Sequence, residues 1–194
     1  MPAERSADPV LHLVAGPNGS GKTTLVTRVL RPVTHLPFVN ADVIAAQRWP
    51  DSQAEHAYDA SRAAAHERDR LIAAHRSFIT ETVFSHDSKL GLIEQAQHAG
   101  YRVELHVLLL PEDATVERVR HRVRLGGHAV PEAKIRERYR RLWPLVVRAR
   151  ALADMTHVYD NRLASTPLRL IARYEHGRPI GTPAWPVWAP DELR

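Results

Sequence analysis

Eight consecutive residues constrain this chain more than any others: Gly16, Pro17, Asn18, Gly19, Ser20, Gly21, Lys22 and Thr23. They fit G-x-x-x-x-G-K-[ST], the phosphate-binding P-loop. The stretch Val10 to Val14 before them is mostly apolar and β-prone, and Thr23 to Leu30 behind them reads as a helix. The loop therefore falls between a buried strand and a helix N-terminus, where the motif requires it. Glycines let the backbone wrap a polyphosphate and aim its N–H groups inward, and the helix N-terminus adds positive potential. Lys22 is placed to reach β- and γ-phosphates and the Thr23 hydroxyl to ligate Mg²⁺, with Thr24 completing the ATP-binding stretch. The bland alternative is a glycine-rich turn that matches by chance. The glycines follow G-x-x-G-x-G and not G-x-G-x-x-G, which disfavours a dinucleotide site.

The rest of the chain alternates strands and helices. Strands are expected at Pro37 to Asn40, Phe78 to Thr82, Tyr101 to Leu110 and Met155 to Tyr159. Helices are expected from Ala41, over Gln53 to His75, Ser88 to Ala99 (with Gly100 as the stop), Glu112 to Arg124, and Pro131 to about Ala153. Leu168 to Tyr174 suggests a terminal hairpin or edge strand, and the tail from Thr182 an irregular segment pinned by its aromatics. Such alternation predicts an α/β fold, a parallel sheet flanked by helices on both faces, with a helical arginine-bearing lid. The expected organisation is one P-loop kinase domain over 1–194, with the lid at about 118–141 and the edge strand and tail at 163–194.

Composition narrows the class by exclusion. There is no cysteine, hence no disulfide framework and no thiolate metal site. No apolar run approaches the roughly 20 residues of a membrane span, and the polar stretch Met1 to Asp8 lacks a signal peptide's apolar region, so the expectation is a cytoplasmic protein with no membrane partner. The net charge of +5 invites a nucleic-acid reading. Lys22, Lys89 and Lys134 are the only lysines, however, and the arginine skew with abundant Ala and Pro looks like coding bias. Nucleic acid is therefore not the expected partner. The strand ending at Leu110-Pro111 carries no acidic pair, and no N-K-x-D element occurs, which argues against motor ATPases and GTPases. Small-molecule and nucleotide kinases remain.

Acceptor-side carboxylates are available at strand ends. Asp42 follows the second strand and Glu81 ends the third, so a parallel sheet brings both to the P-loop face. Transfer to an alcohol needs a group to position or deprotonate the hydroxyl and help with Mg²⁺. Asp42 suits the first task and Glu81 the second. Against this, Asp42 is equally a candidate N-cap for a helix beginning at Val43, and Glu81 a surface strand-end residue. The lid runs from Arg122 and Arg124 through Gly126-Gly127 to Arg136 and Arg138, two arginine-bearing helices at a glycine hinge. Which arginines face inward is open from spacing alone.

These stretches together resemble the zeta toxin family of P-loop kinases, in a compact branch. The resemblance rests on the P-loop, Asn40-Ala41-Asp42, Phe78 to Thr82 with Ser85-His86 and Ser88-Lys89-Leu90, and Arg122 to Pro131 with Arg138-Tyr139. It implies an ATP-dependent kinase acting on the 3′-hydroxyl of the amino sugar in UDP-N-acetylglucosamine. It further implies Lys22 on the ATP phosphates, Thr23 and Glu81 at Mg²⁺, Asp42 as general base, and Arg122 and Arg138 as lid arginines, with Arg124 and Arg136 near enough to replace them. Asn161, in Tyr159-Asp160-Asn161, matches a strand-end element near the nucleotide. Thr82, Ser85, His86, Lys89 and His128 fall on the acceptor side. An antitoxin protein is the partner such a family implies, although no antitoxin segment is visible and toxicity does not follow. The chain is shorter than the larger zeta toxins, which leaves fewer loops to clasp a nucleotide sugar. Two other functions stay open: a metabolic kinase for another small alcohol or nucleotide, and an ATP-regulated nucleic-acid-binding module.

Twelve histidines are present, but no H-E-x-x-H or other zinc spacing occurs. His12 and His106 alternate along strands and read as core or hydrogen-bonded residues.

Overall fold

The computed structural model describes residues 8–125 and 130–194. The expected hinge Gly126-Gly127 and His128 lie outside the described residues.

The apolar strands assemble into one seven-stranded sheet of order β2-β3-β1-β4-β5-β6-β7. Strands β1 (Val10–Ala15), β2 (Phe38–Val39), β3 (Phe78–Thr82), β4 (Arg102–Leu109) and β5 (Met155–Asp160) are parallel. The remaining pair, β6 (Arg169–Glu175) and β7 (Arg178–Pro179), runs antiparallel and forms the terminal hairpin. Parallel strands need crossovers, and the helices supply them. Helices α4 (Ala57–Ala73), α5 (Ser88–His98) and α7 (Glu132–Leu152) send Leu71, Ile93, Leu142 and Trp143 into the main core with Leu11, Leu13, Phe78 and Leu105. The P-loop helix covers the opposite face with Leu25, Val26 and Leu30 on Val14, Ile79 and Leu108. Leu13 and Val14 are both fully buried, as expected of a β1 covered on both sides. In the tail, Trp185 and Trp188 pack against the main core, as their aromatic character predicted.

Departures from expectation have local causes. The P-loop helix is longer than Thr23 to Leu30. It begins as α1 (Lys22–Leu25), widens into a π segment at Val26–Leu30, and ends as α2 (Arg31–Thr34). Pro32 lacks an N–H and crowds the carbonyl four residues back. A wider turn just before it, with Arg31 N donating to Val26 O, absorbs that mismatch. Helix α4 starts at Ala57 and not at Gln53, because the chain just before it turns back and stacks His56 on Trp49 at 4.7 Å between ring centroids. Helix α3 (Ala41–Arg48) starts at Ala41 as expected, which puts Asp42 inside its first turn. Helix α6 (Glu112–Arg124) has the expected bounds.

Candidate active site

The P-loop lies between the end of β1 and α1, in a backbone conformation only glycine takes easily. Gly19 has φ +72° and Gly21 φ +92°. A Cβ on Gly21 would come within 2.5 Å of Asn161 Nδ2. Asn161, just past β5, is buried; its Nδ2 donates to Ser20 O at 2.7 Å and its Oδ1 accepts from Leu168 N at 3.0 Å. The structure thus sets Asn161 under the loop with both polar atoms engaged by backbone. Removing them leaves buried backbone groups unpaired. Asn161→Ala is expected to cost about 1–3 kcal/mol per unpaired group. Urea unfolding measures this, and an unchanged midpoint would contradict it.

Lys22 Nζ donates to Gly16 O at 2.9 Å and Pro17 O at 3.0 Å, so the ammonium is folded against its own loop. Burial pushes its pKa down to about 8; the nearby Glu81 and Asp42 carboxylates oppose that shift, and Arg122 adds to it. An ammonium placed among main-chain carbonyls fits an incoming polyphosphate.

Glu81 is the hub of the acceptor side. Its carboxylate accepts from Thr23 Oγ1 at 2.9 Å and from Asn40 Nδ2 at 2.6 Å. It is half-buried, and desolvation raises its pKa against the lowering effects of Lys22, Thr23 and Asn40. A surface strand-end role does not describe a residue with these partners. Thr23 hydroxyl and Glu81 carboxylate, expected to share a cation, are in direct contact. Two hard oxygen donors at one point fit Mg²⁺.

Asp42 is not a cap. Asn40 takes that role: its Oδ1 accepts from Asp42 N at 2.6 Å and Val43 N at 3.3 Å. Asp42 occupies the first turn of α3 with an exposed side chain. Its carboxylate is thus available at the strand end.

These groups line one open cavity of ≈ 1390 Å³, bounded by the P-loop, Asn40 to Asp42, Glu81 to Val83, and α6. That exceeds the roughly 300–1,000 Å³ of a pocket for one small molecule. Thr82 lines it and also fixes its floor: Thr82 Oγ1 accepts from Phe84 N at 3.1 Å. Phe84 is fully buried with φ +59°, a strained conformation for a bulky residue, held by core packing.

The other expected site residues divide. Arg122 and Arg124 line the cavity, whereas Arg136 and Arg138 are absent from its lining. Arg136 instead bridges Glu132 at 2.9 Å and Asp113 at 3.0 Å, tying α7 to α6. Ser85, His86 and Lys89 also lie off the lining. His86 Nδ1 accepts from Ser88 N at 3.1 Å, closing a local turn before α5. Lys89 is half-buried, and desolvation lowers its pKa. Asn40 and Arg118 were missed. Arg118 lines the cavity and donates to Asn161 O at 2.8 Å and Gly19 O at 3.4 Å, joining α6 to both the P-loop and the end of β5. Its place within the arginine-rich stretch was visible, but nothing in the spacing sets it apart from its neighbours.

Fold and loop together define a P-loop kinase-like α/β protein. Residues 11–145 match the family described as AAA domain, AAA_33, and the chain belongs to it. No curated protein matches the chain. Among solved structures, a chain of the AvrRxo1-ORF1:-ORF2 complex with ATP has TM-score 0.66 at 16% identity, covering 89% of this chain and 60% of that one. A chain of the PezAT chromosomal toxin-antitoxin system of Streptococcus pneumoniae has TM-score 0.58 at 14% identity, covering 81% and 70%. A gluconokinase from Sinorhizobium meliloti 1021 has TM-score 0.52 at 21% identity, covering 84% and 87%. At such identities these likenesses concern the fold. No helix among the described residues is long and apolar enough to cross a membrane.

Proposed function

We propose that the protein is an ATP-dependent phosphotransferase of the zeta toxin type, moving the γ-phosphate to a hydroxyl of a nucleotide sugar such as UDP-N-acetylglucosamine. The observation that carries this reading is the single cavity holding the P-loop on one side and the uncapped carboxylate of Asp42 on the other. Its volume suits a nucleotide donor and a second, sizeable acceptor. PezAT, a toxin-antitoxin system, shares the fold, as does the gluconokinase, so a protein partner and a different alcohol acceptor both belong within this proposal.

In this reading the P-loop amides and Lys22 bind the β- and γ-phosphates. Thr23 and Glu81 hold Mg²⁺, which when bound neutralises charge on the transferring group. Asp42 accepts the proton of the attacking hydroxyl. Arg122 is the inward lid arginine, with Arg124 beside it. Arg118 positions the nucleotide end of α6 against the loop. Residues 118–141 act as the lid of a single kinase domain. Within this stretch Val119 and Ile135 pack with Val116 in an apolar cluster of their own, while Tyr139 anchors its far end in the main core.

The acceptor is tested by incubating the protein with ATP, Mg²⁺ and a panel of nucleotide sugars, free sugars, sugar acids and 5′-hydroxyl oligonucleotides. Product mass is the readout. A phosphorylated nucleotide sugar is the expected product. Phosphorylation of a sugar acid or an oligonucleotide alone would move the assignment to another acceptor class.

A further inference from the structure

Strands β1 and β4, which flank the start of the P-loop, also bring three ligating side chains together midway along their length. His12 on β1 is paired in register with Glu104 on β4, and His106 lies two residues further along β4 on the same face. His12 Nδ1 is 3.2 Å from His106 Nε2 and 3.4 Å from Glu104 Oε2. All three donor atoms lie within 4.8 Å of one another. Both imidazoles are buried, so the arrangement is not a chance meeting of solvated side chains.

We propose that His12, Glu104 and His106 form a site for a divalent transition-metal ion, of which Zn²⁺ is the representative. Three features point there. First, zinc–nitrogen and zinc–oxygen bonds of about 2.0–2.2 Å in a tetrahedron put neighbouring ligand atoms about 3.3–3.6 Å apart. The separation of 3.4 Å falls on that edge and the one of 3.2 Å is just short of it. Second, two imidazoles and one carboxylate are a known zinc donor set that leaves a fourth position for water. The set does not suit Mg²⁺, which prefers oxygen ligands, so the site is chemically distinct from Thr23 and Glu81. Third, outer partners orient the ligands as metal sites require. His106 Nδ1 faces Tyr159 Oη at 3.4 Å, and the tautomer that donates there turns its Nε2 lone pair toward His12. Arg102 holds Glu104 Oε1, leaving Oε2 toward His12. His157 stacks on His106 at 5.2 Å between ring centroids and closes the side of the cluster.

A metal here would cross-link β1 to β4 midway along the strand that leads into the P-loop. No short sequence motif announces it, because the ligands are contributed by strand register and not by local spacing.

The test is Zn²⁺ retention by the full chain after equilibrium dialysis with excess Mg²⁺ present, read by elemental analysis and by thermal unfolding. One Zn²⁺ per chain is expected. Because the metal binds the folded state, Tm should rise by about 5 °C or more at a hundredfold excess over Kd. Glu104→Gln and His12→Gln should each weaken binding at least about tenfold, while Thr23→Ala leaves the stoichiometry unchanged. Failure of the wild type to retain the ion, or unchanged affinity in both folded ligand variants, overturns the site. Should either variant not fold, Co²⁺ in the wild type decides: intense tetrahedral visible absorption supports the site, and weak octahedral absorption overturns it.

Discussion

Asp42→Asn lowers kcat on the true acceptor by about 10²–10⁴-fold, the usual contribution of a general base. That is roughly 3–5 kcal/mol of barrier. ATP affinity stays near that of the wild type, because Asp42 stands across the cavity from the loop that binds phosphate. Stability is also unchanged. Asn40 supplies the cap of α3, and its Oδ1 accepts from the Asp42 and Val43 amides whatever the side chain at 42. Asparagine keeps the size of aspartate and loses the proton acceptor. Steady-state kinetics with an isothermal ATP titration separate the two effects. A variant with normal kcat would move the base elsewhere, with Glu81 next in line, since desolvation already raises its proton affinity.

Lys22→Ala lowers transfer by at least about 10²–10³-fold, the scale of removing one preorganised charge from the transferring group. It does so without unfolding the protein. The sign of its pH dependence follows from burial. The Lys22 pKa falls from the ordinary lysine range to about 8 in the fold. Between pH about 8 and the unfolded-chain value near 10.4, the unfolded state binds the extra proton. Wild-type stability therefore gains a contribution as pH rises through that window, and below it the charged lysine is a cost. In Lys22→Ala this pH-dependent contribution disappears, and near neutral pH the variant is at least as stable as the wild type. Denaturant midpoints from pH 7 to 10 check this; a strongly destabilised variant at pH 7 would mean Lys22 is structural.

Much of the fold was legible because its signals are local. Phe78 to Thr82 and Glu112 to Arg124 have the bounds the sequence suggested, the first a short run of aromatic and β-branched residues and the second a helical stretch bounded by Pro111 and Gly126-Gly127. The P-loop carried its own context. The strand-end carboxylates were legible through topology, since a parallel sheet aligns the ends of β2 and β3. Other features depend on what meets across the fold. Asn40 reads as the end of a strand, and only the structure reveals that it caps α3 and bonds Glu81. Arg118 is one arginine among many until α6 docks on Gly19. His12 and His106 each read as a core histidine on an alternating strand, and their convergence with Glu104 is set by the β1–β4 register. Arg136 shows the converse: the resemblance made it a possible replacement for a lid arginine, and an acidic cluster on α6 and α7 holds it instead.

The assignment turns on transfer as opposed to hydrolysis. Protein, Mg²⁺ and γ-labelled ATP are incubated with and without UDP-N-acetylglucosamine, and label in the sugar nucleotide is compared with ADP formed. The expected result is acceptor-dependent turnover, with one label in the sugar nucleotide for each ADP and no incorporation by Lys22→Ala. Acceptor-independent release of inorganic phosphate, with no label in any organic product, would contradict a phosphotransferase and leave an ATP-hydrolysing or ATP-regulated protein in its place.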